Sequence, residues 1–436
     1  MNAAIHPRPA AERAPSYYAA TLNEETDYPT LLGAVTVDIA IIGGGFTGVA
    51  TAVELAERGY KVALVETHRI GWGASGRNGG PVTGSLSGDA GMPKQMRQWL
   101  GAEVEDFIWH LRWRGHEIIR QRVEKYGIAC DLRHGHLHAA MKASHMGELQ
   151  ASYEEAVRRG MGDQVVLLDK AGVQAHLETE LYCGALKNTR NMHLHPLNLC
   201  IGEARAAAGL GALIFEHSEV LDIVHGPRPA VITREGRIEA QQILLAGDVY
   251  HKLERRQLKG MIFPAMGGIV TTRPLGELAR EINPQGLAVY DCRFVLDYYR
   301  PTADGRLLFG GGANYSGRDS RDIAAELRPC IERTFPRLKG VEIEFQWSCA
   351  MGIVMNRIPQ LGKLSDNVWY CQGYSGHGVA TSHIMGEIMA KAMSGSLEQF
   401  DTFARCKHLR VPLGDLFGNP MLAAGMWYYQ LMEKLR

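Results

Sequence analysis

From Val37 to Glu66 the chain reads VDIAIIGGGFTGVATAVELAERGYKVALVE. An apolar strand runs into a glycine turn, a helix comes next, Lys61 to Val65 form a second strand, and an acid closes the unit. Gly43 permits the tight turn, Gly45 lets backbone amides approach a diphosphate without a Cβ in the way, and Gly48 lets the helix pack closely on the strand. Phe46 and Thr47 stand between them, where phosphates would rest on the positive end of the helix dipole. Val49, Ala52, Val53 and Ala56 recur at helical spacing and are expected to face the sheet, with Glu54, Glu57 and Arg58 in water. Gly59 ends the helix. Glu66, about 20 residues beyond the glycines, is placed to accept hydrogen bonds from the 2′- and 3′-hydroxyls of a ribose. The unit predicts a Rossmann-type crossover holding an adenine dinucleotide; the alternative is a glycine-rich turn with no ligand.

The stretch after the acid separates FAD from NAD. Residues 69–80 read RIGWGASGRNGG, a glycine-rich loop where a dehydrogenase would proceed into another βα unit. A flavin needs an extended backbone beside its ribityl chain and ring, which nominates Ala74, Ser75, Arg77, Asn78, Gly79 and Gly80 as contacts. Glu66 disfavours NADP, because an acid there repels a 2′-phosphate.

Composition sets outer limits. A chain of 436 residues is long enough for two domains. Lys+Arg and Asp+Glu balance at 47 each, without the basic stripe that nucleic-acid binding requires. The eight cysteines lack C-x-x-C spacing, which argues against a zinc ribbon or a secreted disulfide framework. Nothing near the start reads as a signal peptide, and no stretch approaches the ~20 apolar residues of a membrane span. The expectation is a cytoplasmic protein without a transmembrane segment.

Further along, Met92 to Tyr126 predicts one or two amphipathic helices. Residues 130–138 alternate as a strand, so that His134, His136 and His138 share one face; a metal site there, or at His193 and His195, is weighed and set aside, because flavin chemistry needs none. Leu197 to Gly209 predicts a helix, and strands are expected near 212–215, 220–224 and 242–247, the last ending in Ala246-Gly247. Ala303-Asp304-Gly305 marks a hairpin turn. On the hairpin's first strand Phe294, Leu296, Tyr298 and Arg300 point to one side and Tyr299 to the other, so that Tyr298 and Arg300 offer an aromatic wall and a guanidinium fork suited to a carboxylate. The other reading of Arg300 is a surface side chain lying over a tyrosine. Val368 to Gln372 reads as a buried strand, Gly373 to Gly378 as a loop, and Val379 to Met393 as a helix.

With the G-A-S-G-R-N-G-G loop at 73–80, Ser16-Tyr17-Tyr18-Ala19-Ala20, His195-Pro196-Leu197-Asn198-Leu199, residues 296–300 through Gly310-Gly311-Gly312, and Gln372-Gly373-Tyr374-Ser375-Gly376-His377-Gly378, the chain resembles a known superfamily nearly end to end. This is the FAD-dependent D-amino-acid oxidase, glycine oxidase and sarcosine oxidase superfamily, and within it the bacterial γ-glutamylputrescine oxidase and L-pipecolate oxidase-like group. The resemblance implies an α/β plus α+β fold: a Rossmann-type FAD-binding domain, glutathione-reductase-like in its βαβ unit, interleaved with a substrate domain built on an antiparallel sheet and helices. The expected division gives 30–95, 165–255 and 345–436 to the FAD-binding domain, 96–164 and 256–344 to the substrate domain, and 1–29 to an N-terminal extension.

It further implies that Ala246 and Gly247 pack near the nucleotide. Gly373, Tyr374, Ser375, Gly376, Gly378 and Val379 would flank the flavin, and the helix there would stabilise charge on the reduced ring. Tyr298, Arg300 and His377 are the expected catalytic residues. Cys349 stands where sarcosine-oxidase-like relatives attach flavin covalently, with a buried inert thiol as the alternative. Pro81 and Asn356 depart from the residues usual in relatives. The implied reaction oxidises a C–N bond of an amine or amino acid to an imine, with hydride passing to flavin N5 and oxygen or a quinone as final acceptor. Arg300 tilts the expected substrate toward a compact cyclic amino acid such as L-pipecolate; γ-glutamylputrescine is the alternative, and a flavin domain acting on tRNA a remote one.

Overall fold

The computed structural model describes residues 13–87, 91–412, 414, 418–425 and 432. The parts of the expected divisions that fall at 1–12, at 88–90 and across most of 413–436 lie outside the described residues.

Three sheets organise the chain. The six-stranded sheet runs in the order Gln360–Ser365, Val368–Gln372, Gln242–Leu245, Ile39–Ile42, Val62–Val65, Leu213–Phe215. All its pairings are parallel except the one between Gln360–Ser365 and Val368–Gln372. Ile39–Ile42 and Val62–Val65 are buried at every position, because both faces of the sheet are covered. One face carries the helices Phe46–Glu57, Pro196–Gly209 and Gly378–Met393. The other is covered by a four-stranded sheet built from Gly33–Thr36, Gly236–Glu239, Ala230–Thr233 and Val220–Val224.

The helix Phe46–Glu57 departs from the one-sided pattern its sequence suggests. Ala50, Thr51 and Leu55 are as buried as Val49, Ala52 and Val53, since the flanking helices Pro196–Gly209 and Gly378–Met393 enclose it. Glu54, expected in water, is half-buried and accepts an ion pair at 2.9 Å from Arg122, whose other arm reaches Glu203 at 2.9 Å. His383 completes this buried cluster at 3.0 Å from Glu203, tying the helix Glu103–Tyr126 to the two helices beside the crossover.

The nine-stranded sheet is ordered Ile343–Ile353, Phe263–Thr272, Leu307–Asn314, Tyr298–Pro301, Ala288–Asp291, Arg133–Ala140, Gly184–His193, Pro81–Val82, with Val165–Asp169 also beside Gly184–His193. Its pairings are antiparallel apart from Ala288–Asp291 with Arg133–Ala140. Leu137, Val289, Tyr299 and Phe309 pack on one face in a cluster with Leu327 and Ile331 of the helix Ile323–Thr334. The opposite face looks toward the glycine-rich loop 73–80 and the helix Glu103–Tyr126.

Strand membership departs from the expected boundaries. Pro81–Val82, Val165–Asp169, Gly184–His193 and most of Ile343–Ile353 belong to the large sheet, not to the nucleotide unit in which the expected division puts them. The described part of the expected extension is no appendage: Ser16 caps the short helix Tyr17–Ala20, and Tyr17 and Tyr18 are buried in the main core. The histidine trio does not share a face. A bulge between His134 and His136, where Gly135 takes φ +104°, leaves His134 exposed and buries His136. Among the described residues no group of three or more His, Cys, Asp or Glu side chains could hold a metal ion, and no helix is long and apolar enough to cross a membrane. Phe294 and Leu296 precede the strand, which starts at Tyr298.

Candidate nucleotide and substrate site

Parallel strands bring their C-terminal loops to one edge, and here those loops are bonded to one another. Gly43 ends the strand Ile39–Ile42 with φ +112°, and a Cβ on it would lie 2.8 Å from the Ala246 carbonyl oxygen. A Cβ on Gly48 would come within 1.9 Å of the Gly43 carbonyl oxygen, so the helix can approach the turn only without one. Gly45 is the helix N-cap and has no side-chain capping bond; the Phe46 amide donates to Ser75 Oγ at 2.9 Å. The amides of Thr47 and Gly48 belong to the first turn, which a helix leaves without internal acceptors. The Glu66 carboxylate accepts from the amides of Gly44 at 2.6 Å and His68 at 2.9 Å, and keeps lone pairs for further donors. Burial pushes its pKa up against those bonds.

The glycine-rich loop is braced from within. Asn78 Nδ2 donates to the carbonyls of Ala74 and Ser75, both at 3.0 Å, and its Oδ1 accepts from Gly80 N at 2.8 Å. The Arg77 guanidinium lies 4.6 Å from the Trp72 ring centroid and 5.9 Å from that of Tyr250. The Arg77 carbonyl accepts from Trp347 Nε1 at 2.9 Å, which joins the loop to the large sheet. The turn after Gln242–Leu245 runs through Ala246 and Gly247 to Asp248, whose carboxylate accepts from Gly373 N at 3.0 Å. Tyr374 bonds Thr47 Oγ1 through its hydroxyl at 2.5 Å. Ser375, at φ +50°, takes the Val354 amide on its Oγ at 3.3 Å. Gly376 is exposed, Gly378 opens the helix, and Val379 is buried beneath it.

On the large sheet the register aligns Trp347, Ile269, Gly310, Tyr298, Tyr290 and His138 in one row across neighbouring strands. Directly paired residues project to the same face, so these side chains form a continuous floor. The Tyr298 ring sits so close to Gly79 and Gly310 that a Cβ on either would meet it, at 2.2 Å and 2.1 Å. Tyr290 stacks on His138 with ring centroids 4.4 Å apart. Tyr298, Tyr290, His138 and His377 are each only half-buried although protein packs densely around them. Burial raises Tyr298 well above the usual tyrosine value and Tyr290 to about 12, and lowers His138 and His377 to about 4. The wall is therefore uncharged at neutral pH. His377 N-caps the helix Gly378–Met393 through its backbone alone, and its buried Nδ1 has no hydrogen-bond partner.

A glycine turn on a helix N-terminus, an acid at the next strand end, and a second loop running bare past Gly79 and Gly80 to the aromatic floor together fit FAD. The sequence profile of DAO, the FAD dependent oxidoreductase family, matches residues 38–392. The chain belongs to this family. It is 39% identical to the gamma-glutamylputrescine oxidoreductase of Escherichia coli (strain K12), over 97% of this chain and 99% of that one. To the probable oxidoreductase OrdL of Haemophilus influenzae it is 33% identical over 98% of each chain. Among solved structures, glycine oxidase from Geobacillus kaustophilus superposes with a TM-score of 0.71 at 21% identity, covering 86% of this chain and all of that one, a likeness of fold. FAD is thus the cofactor of this DAO-family enzyme, and FAD-dependent oxidation of an amine or amino acid its class of reaction.

The structure corrects one expected role. Arg300 is 3% exposed. Its guanidinium donates to the carbonyls of Gly79 at 2.8 Å, Leu194 at 2.8 Å and Pro301 at 3.3 Å, and to the Tyr18 hydroxyl at 3.1 Å. A fork spent on main-chain oxygens has no face left for a substrate carboxylate. Arg300 is neither a carboxylate receptor nor a surface side chain: it clasps the glycine-rich loop to the hairpin. His195 likewise acts in the scaffold, accepting the Asn198 amide at 3.1 Å as a helix cap, and burial lowers its pKa to about 3. His193 bonds the Gly286 carbonyl at 2.9 Å.

Asp248, Trp72, Tyr250 and Tyr18 carry roles that the sequence alone does not reveal. The A-G-D run at 246–248 after an apolar strand is the available signal for Asp248. Trp72 gives none: its stack on His68, 4.0 Å between centroids, depends on how the turn between them folds back on itself. Cys349 lies buried beside these aromatics, with its thiol pushed up to about 11 by burial. Asn356, a departure from relatives, donates to the Lys407 carbonyl at 2.9 Å and anchors the segment after the last helices. Pro81 pairs with His193 at the edge of the large sheet.

Proposed function

We propose that this enzyme oxidises the terminal amine of a γ-glutamylated diamine, with γ-glutamylputrescine as the type substrate. The likeness to the Escherichia coli gamma-glutamylputrescine oxidoreductase, running the length of both chains, carries the reading. The preference for L-pipecolate depends on Arg300 as receptor for a compact carboxylate, and that argument lapses with the guanidinium committed to main-chain oxygens.

Bound FAD supplies the two-electron acceptor that turns R–CH2–NH2 into R–CH=NH, the electrons passing on to oxygen or a quinone. The chain's own residues prepare the amine. Tyr298 and His377 face it with groups that stay neutral at pH 7, and such desolvated surroundings favour the uncharged amine over the ammonium ion. His377, at the N-terminus of the helix Gly378–Met393, borders the site as an uncharged ring. Tyr298, pressed on Gly79, closes one side against water. Water then hydrolyses the imine to aldehyde and ammonia.

The reading is tested by kcat/KM for γ-glutamylputrescine, putrescine and L-pipecolate, measured by trapping the aldehyde or ring imine. γ-Glutamylputrescine is expected to exceed L-pipecolate by ~100-fold or more. Equal or better turnover of L-pipecolate would reverse the assignment.

A further inference from the structure

The floor that starts at Tyr298 leads away from the flavin loop, through Tyr290 to His138, and the roof over its far end is the helix Glu103–Tyr126. Successive strands stand ~4.8 Å apart, so His138 lies roughly 10 Å from Tyr298 along this row. A long, thin substrate fits such a path better than a compact ring. Its remote end then needs a partner, and a cation on the roof is itself without a counter-ion among the described residues.

This is Arg112, which lies on that helix among densely packed protein. Its Nε donates to the Gly84 carbonyl. Its guanidinium is flanked by Trp109 and Trp113, with centroids at 5.1 Å and 5.7 Å. Among the described residues no carboxylate pairs with it and neither terminal nitrogen has an acceptor. The two acidic or phenolic groups that act on it are Tyr290, on the floor, and Glu155, whose oxygens already serve Arg158 at 2.6 Å and Arg159 at 2.8 Å. Burial lowers the guanidinium's pKa, as it does for a cation held without its counter-ion. A buried arginine with both terminal nitrogens open is suited to one ligand class above others, a carboxylate taken by the fork.

We infer that Arg112, with Tyr290 and His138 below it, binds the α-carboxylate of the γ-glutamyl group and so sets the substrate's reach from the flavin. The inference rests on the γ-glutamylated-amine reading and deepens it. Arg112 would be a specificity residue: it touches the far end of the substrate and no reacting atom. Because the carboxylate enters a site already lined by tryptophans, binding is also visible without turnover.

The test compares two amines on one protein. N-Butanoylputrescine has the same terminal amine as γ-glutamylputrescine and lacks the carboxylate. Arg112→Gln is expected to lose ~100-fold in kcat/KM on γ-glutamylputrescine and under ~3-fold on N-butanoylputrescine, with flavin content unchanged; Arg112→Lys, which keeps the charge and loses the fork, falls between. The ratio is internal to each variant, so partial misfolding does not alter it. The second readout is quenching of tryptophan fluorescence by γ-glutamyl-n-butylamide, which carries the carboxylate and has no oxidisable terminal amine; its Kd is expected to rise ~100-fold in Arg112→Gln. Equal losses on both amines, no loss on either, absence of binding to the wild type, or binding indifferent to Arg112→Gln overturns the assignment. If the wild type turns over neither amine yet binds the butylamide through Arg112, the proposed substrate falls and the carboxylate site stands.

Discussion

The edge of the parallel sheet and the face of the large sheet are built from the same kinds of residue, yet they obey different logics. At the parallel edge, Gly43, Gly48 and Glu66 act within one crossover, and each meets a neighbour close in sequence: Gly43 beneath Gly48, Gly44 on Glu66. On the large sheet the decisive contacts join distant segments. Arg300 reaches Gly79 across 221 positions and Tyr18 across 282. Alternation along a strand assigns a side chain to a face; what waits at its end is decided by the segments folded against that face.

Four outcomes would break or sharpen this contrast. The largest effect belongs to Gly48→Val, which forces a side chain into the Gly43 carbonyl and is expected to cost ~4 kcal/mol or more, yielding a protein without flavin absorbance. A yellow, stable variant would show that the crossover is not dictated locally. Next comes Arg300→Gln, which leaves buried oxygens unpaired and is expected to cost ~3 kcal/mol in urea unfolding while the preference between γ-glutamylputrescine and L-pipecolate stays the same. A preference that shifts tenfold at unchanged stability would return Arg300 to substrate binding.

A smaller effect is a slope with pH. His136 and His195 are lowered to about 3, and His138 and His377 to about 4, all by burial. Unfolded histidines take up protons near pH 6.5 while these do not, so stability is full above that pH and falls as the medium is acidified toward the folded values. Each contributes ~1.4 kcal/mol per pH unit in that window. His195→Asn keeps a capping side chain and removes one titrating ring; it is expected to flatten the unfolding free energy between pH 6.5 and 5 by roughly that amount per unit. An unchanged slope would mean that His195 is protonated in the folded protein. The smallest effect is that of Cys349→Ala, ~1 kcal/mol in stability. Its thiol is held protonated, so acid precipitation is expected to release flavin from wild type and variant alike; flavin that stays with the wild-type polypeptide would establish a covalent bond.

The strand, turn, helix and acid of residues 37–66 are legible in the sequence because their geometry is local, and the paired helices of 91–126 because their apolar spacing is regular. The Tyr298 hairpin is legible from Ala303-Asp304-Gly305, where Gly305 takes φ +78°. The shared face of the three histidines is lost to a bulge at Gly135, where the pairing shifts by two residues and the backbone takes a positive φ, leaving His134 exposed and His136 buried. The burial of helix 46–57 on every side cannot be read from its own sequence, since small residues such as Ala50 and Thr51 suit a polar face or a second helix equally well. Arg112 escapes notice for the same reason: one of four arginines in an amphipathic helix, it looks like a solvated one until the sheet beneath it is in place.

The central claim is that the nucleotide edge and the aromatic floor form one site, with flavin at one end of a path for a long amine. It is tested most directly by mixing the purified holoenzyme anaerobically with γ-glutamylputrescine and monitoring the flavin band, which needs no knowledge of the final electron acceptor. Rapid, complete bleaching by γ-glutamylputrescine, and none on the same timescale by L-pipecolate, is the expected result. A flavin that stays yellow with γ-glutamylputrescine, or bleaches as fast with L-pipecolate, would contradict the account.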